Sequence, residues 1–167
     1  MKEIKLTIDG KEIQLTDAQL KMLGIETENK RKNPFERVTK GGQYYSISGN
    51  GYILYYTEDL NSHGNAAYCG SNYFNDERLA NQVALHQLLY RKLLKYAYDN
   101  ECEDTAEWDG TNLHWAIRYD YACGTFTTDY QNTYGAQEVY FYSEKDAERA
   151  IEEVVEPFIK EHPEFVW

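Results

Sequence analysis

Apolar and polar residues alternate twice at the start of the chain. Ile4, Leu6 and Ile8 alternate with polar residues, and Ile13 and Leu15 resume the pattern beyond Asp9-Gly10. Alternation on both sides of a favoured turn dipeptide predicts a β-hairpin. Thr16 and Gln19 have capping-box spacing and open a short helix through Leu20, Met22 and Leu23 that stops at Gly24. Further on, Gln43–Ser48 and Tyr52–Thr57 flank Gly49-Asn50-Gly51, which predicts a second hairpin. In it Tyr45 and Ile47 share one face, and Tyr44 and Ser46 the other. Asn61–Ser71 is rich in Gly, Asn and Ser and reads as a loop. A long helix is expected from Asp76 to Tyr98. Its apolar residues wrap most of the circumference and leave a polar stripe through Glu77, Asn81, Lys92, Lys95 and Asp99. Such a helix is buried on more than one side and belongs at the centre of a body. Leu113–Tyr121 then reads as a strand, with Leu113, Trp115, Ile117, Tyr119 and Tyr121 on one face. A short strand over Thr125–Thr128 and a last clear one over Glu138–Tyr142 follow.

That last strand runs straight into an amphipathic helix. Ser143 is placed to cap it, and Asp146 stands where the reciprocal partner of a capping box belongs. Ala147, Ala150, Ile151, Val154, Val155, Phe158 and Ile159 form one apolar stripe of helical period, with Glu144, Glu148, Glu152, Glu153 and Glu156 outside it. Each large side chain of the stripe contributes about 1.5–3 kcal/mol on burial, before entropy is set against it. Pro157 removes a helix hydrogen bond, so a kink or a new short helix is expected there. Beyond it, Phe165, Val166 and Trp167 are expected to tuck against the body.

The strand-cap-helix pattern has an earlier echo. Phe74-x-Asp76-Glu77-Arg78-x-Ala80 matches Phe141-x-Ser143-Glu144-Lys145-x-Ala147 in spacing and chemistry. The expected fold is therefore α+β, a predominantly antiparallel sheet with two main helices and a suggested ββα pseudo-repeat. Three regions follow: an N-terminal hairpin–helix module over residues 1–24, a basic polar linker over 25–40, and an α+β body over 41–167. The module is too small to be stable alone and must dock on the body or on a partner.

Charge sharpens this picture. The 167 residues carry a net charge of −11, and residues 41–167 alone balance to −13. A body that acidic repels phosphate backbones, so direct nucleic-acid binding is not expected; it attracts basic surfaces instead, or is simply kept soluble by its charge. Sixteen tyrosines suit half-buried sheet faces and protein interfaces alike. Cys69, Cys102 and Cys123 lack the pairing and spacing of a disulfide framework or a zinc site. With no signal-peptide pattern and no membrane-length apolar run, the protein is expected in the cytoplasm.

Candidate chemistry is sparse. His63 and Cys69 share a loop, but the sequence supplies neither an orienting group nor an oxyanion hole. His86, His114 and His162 are scattered singly, without metal-like spacing. No phosphate-binding glycine loop or nucleophile elbow is present. No catalytic residue, metal or cofactor is expected, and the chain reads as a non-enzyme. The stretch Asp99–Asp109 holds six carboxylates and no basic residue. It fails the EF-hand pattern, because Asp104 and Gly110 stand where Gly and Glu are required. A solvated acidic loop needs no further explanation. As a docking surface for a basic groove, the candidate partner-binding residues are Asp99, Glu101, Glu103, Asp104, Glu107, Trp108 and Asp109, with Trp108 as the anchor.

Several stretches together resemble small acidic proteins encoded by phages, prophages and mobile elements of Gram-positive bacteria: Ile4–Leu23, Asn33-Pro-Phe-Glu-Arg-Val38, Asn72–Ala80 and Val139–Glu153. The resemblance implies a mobile-element origin and carries over no catalytic residue. By analogy with that setting, the expectation is an anti-CRISPR-like inhibitor, a DNA mimic whose acidic surface occupies the basic groove of a nucleic-acid-handling defence protein such as a CRISPR effector. The alternative is a non-enzymatic accessory protein of phage replication, packaging or regulation. A small-molecule binder or an enzyme of unfamiliar type is the third reading.

Overall fold

The computed structural model describes residues 5–8, 11–15, 19, 22–23, 33–136 and 138–167. The chain divides into two compact units, Met1–Asn33 and Pro34–Trp167. In the first, β1 (Lys5–Ile8) pairs antiparallel with β2 (Lys11–Gln14), Ile8 opposite Lys11. The Asp9-Gly10 turn and most of the expected Thr16–Gly24 helix lie outside the described residues, although Gln19 and Met22 are helical.

The second unit is α+β, and its sheets are antiparallel. β3 (Gln43–Ile47) pairs with β4 (Ile53–Thr57), burying Tyr44 and Ser46 on one face. α1 (Ser62–Cys69) follows where composition suggested a loop. The correction has a local cause: the Asn61 side chain accepts the Gly64 N–H at 2.9 Å, and a capped helix starts despite its glycine and asparagine content. α2 (Glu77–Asp99) begins at Asp76, whose carboxylate accepts the Leu79 N–H. β5 (His114–Asp120) and β6 (Thr125–Gln131) form a second hairpin, in which β6 is longer than the expected Thr125–Thr128.

The expected strand at Glu138–Tyr142 is not a ladder. It makes isolated bridges through Phe141 to Trp115 on one side and to Glu103 on the other. The bonds are Phe141 N–H to Trp115 C=O, Tyr142 N–H to Cys102 C=O and Asp104 N–H to Tyr140 C=O. A helix then runs from α3 (Glu144–Ala150) through a π turn (Ile151–Val155) into α4 (Glu156–Glu161). Pro157 lies at the start of α4, so the widened turn just before it takes the place of a sharp kink.

The seven-residue echo has a structural counterpart. Phe74 bridges Tyr45 on the first strand of one hairpin, and Phe141 bridges Trp115 on the first strand of the other. Two residues later Asp76 and Ser143 cap helices, and Ala80 and Ala147 are fully buried against the neighbouring layer. The Ser143 hydroxyl accepts the Asp146 N–H at 3.3 Å, as the cap predicts, and donates to the Asp146 carboxylate at 2.6 Å, a contact that differs from the reciprocal backbone bond of a capping box.

α2 serves both halves. It packs on β3 and β4, and also on α3 and the π turn. Leu85, Leu89, Leu93 and Ala97 join the main core with Ile117, Val139, Phe141, Ala147, Ala150, Ile151, Val155 and Phe158. Replacing Leu89 or Leu93 with alanine is expected to cost about 2–5 kcal/mol in denaturant unfolding. Either variant unfolding like the wild type would contradict this placement. The tail returns over the core: Gln82 bonds the Glu164 C=O and the Val166 N–H, and Trp167 lies 5.0 Å from the Phe126 ring.

Candidate functional site

The acidic stretch lies in the second half, between the end of α2 and β5. Its carboxylates have different employments. Asp99 pairs with Lys95 one helical turn back. Asp104 is buried and contacts His114 Nδ1. Asp109 closes a tight turn, accepting from the backbone N–H groups of Thr111 (2.8 Å) and Asn112 (3.0 Å) and from the Thr111 hydroxyl. The Thr111 and Asn112 amides hold its carboxyl down at about 2. Glu103 is half-buried beside Phe141. Glu101 and Glu107 remain exposed, with no side-chain hydrogen bond or ion pair among the described residues. Trp108 is only partly free, because it stacks on the His114 imidazole with ring centroids 3.4 Å apart. The seven candidates therefore form a structured loop in which several acids are already engaged.

His114 is the residue that sequence reasoning missed. It lies on the face of β5 opposite Trp115 and Ile117, where His114 and Ala116 are both buried. His114 Nδ1 is held by the Asp104 carboxylate, and Nε2 is buried without a hydrogen-bond partner among the described residues. Trp108 covers the ring, and Tyr134 and Tyr140 stand edge-on to Trp108 at 5.3 and 4.8 Å. An Asp–His pair is a familiar base arrangement, but this one is sealed. As built, it fastens the loop to the strand.

Next to it, Arg118 makes a two-pronged contact with Glu138, at 2.8 and 3.2 Å. Glu138 also accepts the Tyr140 hydroxyl at 2.7 Å, and that hydroxyl accepts the Gly135 N–H at 2.8 Å. The Arg118 bonds hold Glu138 below the usual carboxylate range, while burial pushes Tyr140 up to about 12. A Cβ on Gly135 would meet the Glu138 carboxylate at 2.7 Å and the Tyr140 hydroxyl at 2.9 Å, so a larger residue there would displace these side-chain ends from their present bonds.

The charge of the span around these residues is one-signed in sequence. From Tyr96 to Glu144 the chain has ten acidic residues and one basic residue, Arg118, which Glu138 already neutralises. Tyr98, Trp108, Tyr121, Tyr130, Tyr134 and Tyr142 are all exposed in this span.

The other candidates stay apart. His63 and Cys69 sit at opposite ends of α1, about 9 Å apart along its axis, and His63 rests against Tyr56 instead. His86 lies against the Phe165 ring. Among the described residues no cluster of His, Cys, Asp or Glu is arranged to hold a metal ion, and no helix is long and apolar enough to cross a membrane. No protein-family model matches the chain, and neither a curated protein nor a solved structure is similar to it.

Proposed function

We propose that the protein is a stoichiometric, non-catalytic inhibitor that acts in a bacterial host cytoplasm by occupying the basic nucleic-acid-binding surface of a defence protein, in the manner of an anti-CRISPR protein. The observation that supports it is the span 96–144, whose sequence holds ten acidic residues against one Lys or Arg, the paired Arg118, and which exposes six aromatic side chains. Carboxylates there would steer association with a basic groove, and Trp and Tyr would supply the contact area. Glu101 and Glu107 carry the steering role, because neither supports the fold through its side chain. Asp104 and Asp109 act indirectly, by shaping the loop that presents them.

The test uses the tagged full chain and CRISPR effectors, with nuclease treatment and two salt concentrations. One effector should be retained after nucleic acid is digested, be lost as salt rises, and be prevented from binding DNA at equimolar inhibitor. Reversing Glu101 and Glu107 to lysine should slow association about tenfold or more while leaving the melting temperature unchanged. Unchanged association in that variant would remove the loop from the mechanism.

The accessory reading is favoured by one feature: the β1–β2 hairpin belongs to a unit of its own, Met1–Asn33. Retention of a phage replication or packaging protein, lost when residues 1–33 are deleted, would replace the inhibitor reading.

A further inference from the structure

The second hairpin ends in an open edge. Among the described residues β6 pairs with β5 along one side only, with Thr125 opposite Asp120 and Gln131 opposite His114. Trp115 reveals which backbone groups face outward. Its C=O accepts the Phe141 N–H at 2.8 Å, on the side away from β6. Trp115 and Tyr130 are therefore a non-hydrogen-bonded pair, and alternation turns the N–H and C=O groups of Phe126, Thr128 and Tyr130 away from β5. The Tyr130 N–H fits this geometry, since its own neighbour Asp129 takes it at 2.9 Å. Among the described residues, the Phe126 and Thr128 backbone groups find, beyond the hairpin, only a long 3.4 Å contact from the Thr127 hydroxyl to the Thr128 C=O.

Open edges are usually blunted by lysine, proline or a bulge. β6, Thr-Phe-Thr-Thr-Asp-Tyr-Gln, pairs residue for residue with β5 and contains neither lysine nor proline. Its surroundings are acidic. Asp129 projects from the strand, and Glu144 reaches the Thr128 hydroxyl at 3.4 Å. From Tyr119 to Glu144 the chain has no lysine or arginine at all.

We propose that β6 is a strand-addition site for an extended, basic segment of the partner protein, with Lys or Arg side chains meeting Glu144 on the Thr128 face of the strand and Asp129 on the opposite face. Main-chain bonds to Phe126 and Thr128 supply the attachment, and the carboxylates select the charge. A second copy of this chain fits less well, because it would bring another Asp129 and Glu144 to the same edge. The proposal rests on the inhibitor reading for the partner's basic character.

The test is an amide-resolved NMR titration of the full chain with a short peptide alternating lysine and valine, and with its glutamate–valine counterpart. The lysine peptide should shift the Phe126 and Thr128 amides and slow their exchange, and the glutamate peptide should not. Thr128→Pro removes an outward N–H at a position where an edge strand tolerates proline. It should keep the melting temperature and lose the peptide. A second variant guards against misfolding: Asp129→Lys with Glu144→Lys should reverse the preference in favour of the glutamate peptide. No response at Phe126 and Thr128, or unchanged preference in the charge-reversed protein, would overturn the proposal. So would protection of both amides before any peptide is added, together with a concentration-dependent dimer in sedimentation. A Thr128→Pro protein that still blocks DNA binding by its effector removes the edge but leaves the inhibitor reading standing. Failure of the wild type to block DNA removes that reading, whatever the peptides do.

Discussion

Replacing Phe141 with alanine is expected to lower the unfolding free energy by about 3–5 kcal/mol, read from urea unfolding. Phe141 is fully buried in the main core among residues of α2, β5, α3 and the π turn. Its backbone is also the seam of the second half. It bridges Trp115 on one side and Glu103 on the other, so the ring packs where three chain segments meet. Alanine keeps those backbone bonds and removes only the ring, which makes the loss a measure of packing. Phe74 occupies the same place in the first half, bridging Tyr45 and lying 5.1 Å from the Phe35 ring. Phe74→Ala should cost a similar amount. Because α2 packs on both hairpins, both variants should still unfold in one transition. A loss under about 1 kcal/mol for Phe141→Ala would mean that the site collapses around the gap and is not a keystone.

The same two phenylalanines show what was legible in the chain. A short apolar run, a capping residue and a small buried residue lie within seven positions, and such local signals survive in a single sequence. The long α2 and the stripe from Ala147 to Ile159 are readable for the same reason, since helical period repeats over many residues. What failed to show is non-local or compositionally disguised. α1 is hidden by its glycine and asparagines, and only the Asn61 cap marks it. Glu138–Tyr142 has the residues of a strand, but its neighbours allow single bridges and no ladder. The proline and the new short helix that starts at it were visible, while the π turn that leads into that helix was not. In the acidic loop, the carboxylates were readable as charges. That Asp104 is committed to His114, and Trp108 to covering that ring, depends on contacts across a turn and a strand that no spacing rule encodes. This divides the loop differently from its sequence. The exposed, unengaged acids Glu101 and Glu107 are the candidates for a partner, and the engaged ones are the frame that presents them.

Glu58 is the most consequential of the contacts that sequence could not reveal. It is almost wholly buried at the end of β4 and accepts from Arg37 Nε (2.8 Å), Arg37 Nη2 (3.1 Å), the Leu60 N–H (2.7 Å) and the Tyr73 hydroxyl (3.0 Å). Arg37 reaches on to Asn65 Oδ1 in α1 at 2.7 Å, and the Tyr73 oxygen accepts the Val38 N–H. One carboxylate thereby ties the Pro34–Lys40 segment, β4, α1 and the approach to α2. The Arg37 hydrogen bonds hold the Glu58 carboxyl down at about 2, from an ordinary value of 4.5, against the opposing effect of its burial. The unfolded chain therefore takes up this proton first as pH falls. The stability from Glu58 is fully present above about 4.5 and is lost as pH drops through about 2. Glu58→Gln should weaken the protein at neutral pH, because the amide cannot match two guanidinium donors as a carboxylate does. It should also flatten the acid side of the stability profile, while Asp109 continues to contribute its own share. Arg37→Ala should be the worse variant at neutral pH, since it leaves a buried carboxylate with only Leu60 N–H and the Tyr73 hydroxyl. With Arg37 gone the carboxyl moves up, so that variant loses less on acidification than the wild type does. Urea unfolding from about pH 7 to about pH 3 checks all three proteins. Equal pH slopes in wild type and Glu58→Gln would show that this carboxylate is not what holds the first half together in acid.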